Sequence, residues 1–579
     1  MVIPSGYLEM IEVKTKKSKL IILIVIFLLA LLVRIVYLIE VKDSPILTHP
    51  GLDMQAYDLW AQRIAQGEWL GKKVFYQSPL YPYLLALFYV IFGRKLFVIY
   101  FIQLFLGALD CLLIYGIGKR AFNERVGMIA GLVSALYAPF IFYQALLLKT
   151  YLGIFLIDLS IFLVLGFAED AKKAKGFFAG ISLGLSSLVR DNFVLFFFWF
   201  FGWLWLKLRQ KGLLARIWLF ASGFVLIVGA CALRNYIVGR DFVLTTSQAG
   251  QNFYIGNHLK NFTGTYQSPD FVCANPFFEE NDFRREAEKR LGRSNLKPSQ
   301  ISWFWFKQSF KEIREEPSLF VQRLLLKMAL FWNRREIADN VSIYLFRREF
   351  SYLLRYLADF GWIAPFALLG LCLAFLRKRA GVLLGFVSIY WLSTSAFYIF
   401  ARYRLAVVGV VLCFFGFALE EIYFSAKKRA WREFLVMILG VLIFGVLSWA
   451  PLLKPTLDYA YYNLGNAYMR SGDYGEAILS YQKAIKENPS QAEFWTNLGK
   501  ALERKGLIDD ALRAYKKAVK LNASSALAQF GLGKMLFMRG ELEQAENHLK
   551  KALELNPAMG EAKIYLQMIQ SKKHPSKEQ

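Results

Sequence analysis

The sequence predicts an all-α protein in two parts, a polytopic transmembrane helical bundle of about eleven spans and an external C-terminal α-solenoid. Three observations carry that prediction. Of 579 residues, 56% are hydrophobic and 17% aromatic, an apolar share too large for a soluble chain of this length. The formal charge of +26 falls in short Lys/Arg clusters between apolar runs, the pattern of membrane-protein loops rather than of a nucleic-acid-binding face. Beyond Trp449 the composition turns polar, and the sequence repeats with a period of 34 residues.

The elements follow in chain order. Residues 1–19 read as a cytoplasmic segment rich in lysine (Lys14, Lys16, Lys17, Lys19). The apolar run after it, Leu20 to Leu38, lacks a small-residue cleavage site and reads as a retained span rather than a removed signal peptide. Runs long enough to cross a bilayer, roughly 17 to 25 residues, fall near 20–39, 97–117, 126–142, 151–168, 176–190, 192–206, 217–235, 356–376, 381–400, 405–424 and 434–450. Leu80 to Phe92 is only 13 residues long and carries Pro82, so it suits an interfacial helix. With that choice, and a cytoplasmic N-terminus, the inside loops hold Lys119-Arg120, Lys172-Lys173-Lys175, Lys207 to Arg216, Arg377-Lys378-Arg379 and Lys427-Lys428-Arg429. All are basic, as the positive-inside rule requires. The loops 40–96 and 236–355 and the C-terminal part then lie outside.

Four of the five cysteines, Cys111, Cys231, Cys372 and Cys413, lie in apolar runs and only Cys273 in a polar loop. No disulfide framework or metal-ligand spacing is visible. Asn261-Phe-Thr263 and Asn522-Ala-Ser524 match the glycosylation sequon and are read as chance. In the repeating part, Tyr461-x2-Leu464-Gly465-x2-Tyr468, then Ala477-x3-Tyr481 and Pro489, is the tetratricopeptide pattern. Leu498-Gly499 and Leu532-Gly533 recur at the same interval. Small residues at fixed places let paired helices approach closely. Residues 458–573 therefore read as three repeats (458–491, 492–525 and 526–559) and a capping helix, and such solenoids present concave surfaces to protein partners.

The first external loop carries the sharpest chemical signal. Asp53 opens a segment to Ile64 in which Tyr57, Trp60, Ala61 and Ile64 share one face, the pattern of a short amphipathic helix at the membrane surface. A carboxylate there is suited to take a proton from an attacking hydroxyl or amine. Read from composition alone, Asp53 is sooner a helix-start carboxylate stabilised by the N-terminal dipole than a base.

Asp53 after the first span, Ser78-Pro79-Leu80-Tyr81-Pro82, Gly118-Lys119-Arg120-Ala121-Phe122, Arg190, Leu233-Arg234-Asn235-Tyr236, Asn252-Phe253-Tyr254-Ile255-Gly256-Asn257 and Arg402-Tyr403-Arg404-Leu405 follow one another along the chain. Their order resembles that of a family, the polytopic GT-C-type glycosyltransferases that include protein O-mannosyltransferases and lipid A aminoarabinose transferases. These motifs cover residues 20–450, and the whole is similar to a bacterial branch with fused tetratricopeptide repeats. The resemblance implies a multi-pass protein of a bacterial-type inner membrane. It would move a sugar from a polyprenyl-phosphate-linked donor to a protein, lipid or glycan acceptor on the outer face, with the repeats recruiting a protein acceptor or partner. Asp53 matches the family's catalytic carboxylate. Arg402 and Arg404 are the first choices for the donor phosphate, with Arg190 and Lys149 next, because guanidinium and ammonium groups stabilise charge arriving on a departing phosphate. His49, Tyr57, Tyr81 and Gln144 are candidates for substrate contact. Relatives carry a second acid after the third span, where this chain has Gln144, a poor ligand for a divalent ion, so no cofactor and no obligatory metal are expected.

Arg34, Asp110 and Asp158 lie inside spans, where charge is costly and normally paired. Depth along the helices favours an Arg34–Asp158 pair. Two other functions fit parts of the pattern: a membrane-anchored scaffold for the repeats, and a transporter, for which the two inverted halves are not visible.

Overall fold

The computed structural model describes residues 5–273, 275–454 and 456–573; the first four residues of the predicted N-terminal segment lie outside them. Every extended element among the described residues is a helix. They fall into two units, one of residues 5–42, 52–339 and 346–453, the other of 43–51, 340–345 and 454–573.

The first unit is the membrane part. Among the described residues seven helices are long and apolar enough to cross a bilayer: Leu20–Val41, Leu96–Ala121, Thr150–Asp170, Asp191–Gln210, Leu214–Gly239, Ala401–Lys427 and Trp431–Trp449. The other four predicted runs are shorter as helices. Three of them become Lys173–Ser187, Phe360–Leu376 and Gly381–Ser395, of 15, 17 and 15 residues. The run 126–142 divides into Glu124–Ala135 and Ala138–Gln144. Pro139 has no N–H to continue the ladder, and the groups freed at the break bond Ala358 instead: Ala138 N donates to its carbonyl (2.9 Å), and its own N–H donates to the Leu136 carbonyl (3.2 Å). The most enclosed spans are Thr150–Asp170 and Ala401–Lys427, whereas Trp431–Trp449 leaves Leu435, Leu439, Leu442 and Val446 exposed, as a lipid-facing helix does.

The predicted Arg34–Asp158 pair does not form. Arg34 is fully buried and donates from Nε to Gln144 Oε1 (2.9 Å) and from Nη1 to the Ala30 carbonyl (3.1 Å). Both Asp158 oxygens are buried without a hydrogen-bond partner among the described residues, against Gly409, where a Cβ would come within 2.3 Å of Oδ2. Similar depth along two helices says nothing about which faces meet, and a neutral amide satisfies the guanidinium here.

The second unit is the α-solenoid. Helices pair as Asp458–Ser471 with Tyr474–Glu487, Ala492–Arg504 with Ile508–Leu521 and Ala526–Met538 with Leu542–Leu555, and Gly560–Lys573 closes the end. Gly472, Gly506 and Gly540 turn between the helices of each pair with φ of 83°, 80° and 82°, which an L side chain resists. Gly465 and Gly499 lie under the rings of Tyr481 and Tyr515, where a Cβ would approach to 2.6 and 2.9 Å. These tyrosines, with Ala477, Leu498, Leu532 and Leu549, form one continuous core. The segments 43–51 and 340–345 are fastened to the first repeat helix: Arg470 donates to the His49 carbonyl (3.0 and 3.1 Å) and Asn463 to the Asn340 carbonyl (3.1 Å).

Candidate functional site

The site is built from two distant parts of the membrane unit. The first is the helix Leu52–Ala65, which buries Met54, Tyr57, Asp58, Ala61 and Ile64 and carries Asp53 in its first turn. Leu52, just ahead of Asp53, has a φ of 53°, a left-handed conformation that costs a leucine about 1–3 kcal/mol and persists only where the surroundings fix it. Asp58 anchors this helix to the Leu80–Phe92 helix. It accepts from the Tyr89 hydroxyl (2.8 Å) and, in two-pronged fashion, from Arg94 (Nε–Oδ1 3.0 Å, Nη2–Oδ2 2.7 Å). The Tyr57 ring stands edge-on to Tyr81 at 5.5 Å.

The second part is the start of the Ala401–Lys427 helix. Ala401 N donates to the Ile337 carbonyl (3.0 Å), which brings residues 336–339 beside residues 401–404. Two acid–arginine pairs result, Glu336 with Arg404 at 2.6 Å and Asp339 with Arg402 at 2.5 Å. Arg402 Nη2 also donates to Asp53 Oδ2 (3.0 Å), so one guanidinium nitrogen serves two carboxylates. Arg402 Nε and Nη1 are buried with no hydrogen-bond partner among the described residues.

More cations converge on Arg402. Arg190 donates from Nη2 to the Arg402 carbonyl (2.7 Å), its Nε is buried and unpartnered among the described residues, and both guanidiniums lie over the Tyr403 ring at 5.0 and 5.4 Å. Lys149 donates to Ser78 Oγ (2.7 Å). Burial pulls the Lys149 ammonium down to about 8, with Arg190 and Arg402 acting the same way and Asp191 and Asp53 opposing. On the acidic side, Asp339 is pushed up to about 6, chiefly by burial and also by Asp53, against the pull of Arg402. Glu279 accepts from Tyr76 (2.9 Å) and Tyr266 (3.2 Å) and is also raised to about 6, by burial first and then Asp53 and Asp339, with both tyrosines opposing. Tyr266, Tyr398, Phe400 and Tyr403 line this region with rings at 5.5–6.2 Å. Such a set can hold an anion against buried guanidiniums, take up a proton on Asp53 and stack a sugar ring on aromatics.

The predicted residues divide accordingly. Asp53, Arg402, Arg190, Lys149 and Tyr57 are neighbours; Tyr57 is buried, and its hydroxyl is held far above the usual range by burial and then by Asp53. Arg404 is not part of the set. Its guanidinium is occupied by Glu336 and the carbonyls of Phe331 (3.0 Å) and Asn333 (2.7 Å), and lies on the Phe360 ring. Gln144 is turned to Arg34, and Tyr81 is buried with its hydroxyl on Gln103 Oε1 (2.8 Å), so both are packing residues. His49 belongs to the other unit, with Nδ1 3.0 Å from Thr48 Oγ1. Among the described residues no group of three or more His, Cys, Asp or Glu is arranged to hold a metal ion. Sequence reasoning missed Asp339, Glu336 and Glu279. Glu336-x-x-Asp339 complements Arg402-x-Arg404, but that match has meaning only once the two segments are known to touch.

Fold and site define a multi-pass membrane protein that carries a buried cation–carboxylate centre and a module of helical repeats. Residues 76–233 match the family model of dolichyl-phosphate-mannose-protein mannosyltransferase, and residues 462–526 and 501–559 match that of the tetratricopeptide repeat. The resemblance read from the residues is thus borne out to this extent: a stretch that matches a membrane mannosyltransferase model is followed by tetratricopeptide repeats. Lys149 and Arg190 lie inside the matched stretch, whereas Asp53, Asp339 and Arg402 lie outside it and stand on geometry. No curated protein matches the chain. Solved structures similar to part of it include the first tetratricopeptide domain of Spaghetti (RPAP3) bound to an HSP90 peptide. That domain is 31% identical, with 21% of this chain and 94% of that one covered and a TM-score of 0.20. Another is the Yersinia enterocolitica type III secretion chaperone SycD in complex with a peptide of the translocator YopD (24% identical, 20% and 93% covered, TM-score 0.19). MamA is a third (23% identical, 24% and 83% covered, TM-score 0.20).

Proposed function

We propose that the protein transfers a glycosyl group from a polyprenyl-phosphate-linked donor to a protein, glycan or lipid acceptor at the outer face of a bacterial-type inner membrane, with Asp53 as general base. The observation that carries this reading is Arg402, a buried guanidinium that contacts Asp53 through one nitrogen and keeps its other two, Nε and Nη1, unspent among the described residues. Arg402 Nε and Nη1, with Arg190 Nε and the Lys149 ammonium, receive the donor phosphate. Asp53 takes the proton of the acceptor hydroxyl or amine as it attacks the anomeric carbon. The electron pair of the broken sugar–phosphate bond stays on the phosphate, where cations held in a partly dry site stabilise it more than water would. The basic loops at Lys119, Lys172, Lys207, Arg377 and Lys427 support a cytoplasmic N-terminus with Asp53 and the repeats outside. The repeats recruit a protein acceptor or partner, as solenoids of this type do.

The test is transfer of radiolabel from a panel of polyprenyl-phosphate sugars to envelope proteins and glycolipids in membranes that contain the protein. Label that appears only with the protein supports the reading, and the labelled fraction names the acceptor class. Equal label without the protein, across every donor, overturns it.

A further inference from the structure

We propose that Asp339 is a positioning residue for glycosyl transfer: it divides Arg402 between two carboxylates, and so leaves Asp53 free to take the acceptor proton while holding the unspent edge of the guanidinium in place for the phosphate. This rests on the transfer reading above and assigns a role that neither a sequence motif nor the matched stretch 76–233 contains.

The geometry is specific. Arg402 Nη2 lies 3.0 Å from Asp53 and 2.5 Å from Asp339, and Nε and Nη1 have no partner. The three side chains are largely enclosed, at 9% exposure for Arg402, 17% for Asp53 and 15% for Asp339, so their charges are weakly screened. The backbone bond from Ala401 to Ile337 fixes the register in which Asp339 meets Arg402. Besides Arg402 and Asp53, the groups acting on Asp339 from neighbouring elements are Glu279, Tyr143, Tyr266 and Tyr403.

The charge count gives Asp339 its work. During transfer the acceptor proton moves to Asp53, the acceptor oxygen bonds to the anomeric carbon, and the carbon–oxygen bond to phosphate breaks with its electron pair left on phosphate. A carboxylate and a phosphodiester, one negative charge each, become a neutral acid and a phosphate monoester dianion. One unit of charge passes from one side of Arg402 to the other. If Arg402 faced Asp53 alone, the ion pair would tie up the carboxylate that has to take the acceptor proton. An ionised Asp339 draws part of that attraction to itself. When Asp339 is protonated, Arg402 falls to Asp53, the carboxylate is less free to take the proton, and an anionic donor binds better because one negative charge has gone. Burial, and after it Asp53, push Asp339 up to about 6 against the pull of Arg402, so the two states exchange within an accessible range.

The test compares wild type with Asp339→Asn, Asp339→Glu and Asp53→Asn in one detergent preparation. Asp339→Asn is expected to lower kcat by about 10²-fold, the scale of a misplaced reacting group, without raising the donor KM. It should also remove the acid limb near pH 6 from the kcat/KM profile. Asp339→Glu restores most of kcat, and Glu279→Gln, which removes the other acid in that range, keeps the limb. A binding arm needs no turnover. The affinity of wild type for a polyprenyl methyl phosphodiester, whose charge is constant across the range, rises as pH falls from 7.5 to 5, whereas Asp339→Asn binds tightly at both. An unchanged kcat and limb in Asp339→Asn overturns the proposal. So does an equal loss at every pH with a lowered thermal midpoint and no rescue by glutamate, which marks a structural role alone. If wild type turns over no donor, the transfer reading fails, and the binding arm still decides: the same pH dependence in both proteins overturns the coupling, and a difference retains it.

Discussion

Replacing Arg402 by lysine keeps the charge and removes the geometry, which separates the two things the site asks of this residue. A lysine ammonium can lie between Asp53 and Asp339, which now share Arg402 Nη2 at 3.0 and 2.5 Å. It cannot also extend a second and third N–H to a phosphate, as Nε and Nη1 do on a planar guanidinium. Two hydrogen bonds to a charged group are lost, at about 1.5–3 kcal/mol each. The expected loss in kcat/KM is therefore about 10³-fold, close to 4 kcal/mol. The assay is transfer of label from a polyprenyl-phosphate sugar, with kcat and donor KM measured on protein matched for abundance. Arg404→Met is the comparison. It strips a buried partner from Glu336 and two carbonyls, so it costs about 3–5 kcal/mol of stability and leaves the turnover of the folded fraction near wild type. Arg402→Lys within threefold of wild type, or Arg404→Met folded but inactive, would refute the assignment of Arg402 rather than Arg404 to the phosphate.

Lys149, held near 8 by burial, is charged below that value and neutral above it, so donor affinity falls as pH rises through about 8; in Lys149→Gln, measured as donor KM against pH, this alkaline limb is absent. Because Arg34 bonds Gln144 and not Asp158, the charge swap Arg34→Asp with Asp158→Arg does not rescue expression, whereas Gln144→Ala alone lowers the thermal midpoint through a loss of about 1–3 kcal/mol. Gly499→Val drives a side chain into the Tyr515 ring and destabilises the solenoid by about 1–3 kcal/mol, read as a lowered unfolding midpoint of the repeats, while glycosyl transfer to a small soluble acceptor persists.

Local signals survived the passage from sequence to structure, and pairings between distant segments did not. The helices around Asp53 and from Leu80 to Phe92 were readable because their patterns repeat within a few residues, and the solenoid because a 34-residue period imposes its glycines and tyrosines three times. Helix continuity was not readable where proline intervened: the run 126–142 is apolar throughout, yet it divides at Pro139 and the freed backbone finds Ala358, more than 200 residues away. The site was half legible. Asp53 and Arg402 could be chosen by position, but the two are 349 residues apart, and what distinguishes Arg402 from Arg404 is which acid each meets. Asp339 was invisible for the same reason. An acid in a polar loop becomes informative only beside the cation it shares.

The most direct measurement is transfer by Asp53→Asn. With folding and abundance confirmed by thermal midpoint and membrane content, the label passed from a polyprenyl-phosphate sugar to acceptor should fall by about 10²–10⁴-fold, the usual worth of a general base. Donor affinity should be kept or improved, since Arg402 loses a competing carboxylate. Transfer at the wild-type rate by a folded Asp53→Asn would contradict the account at its centre.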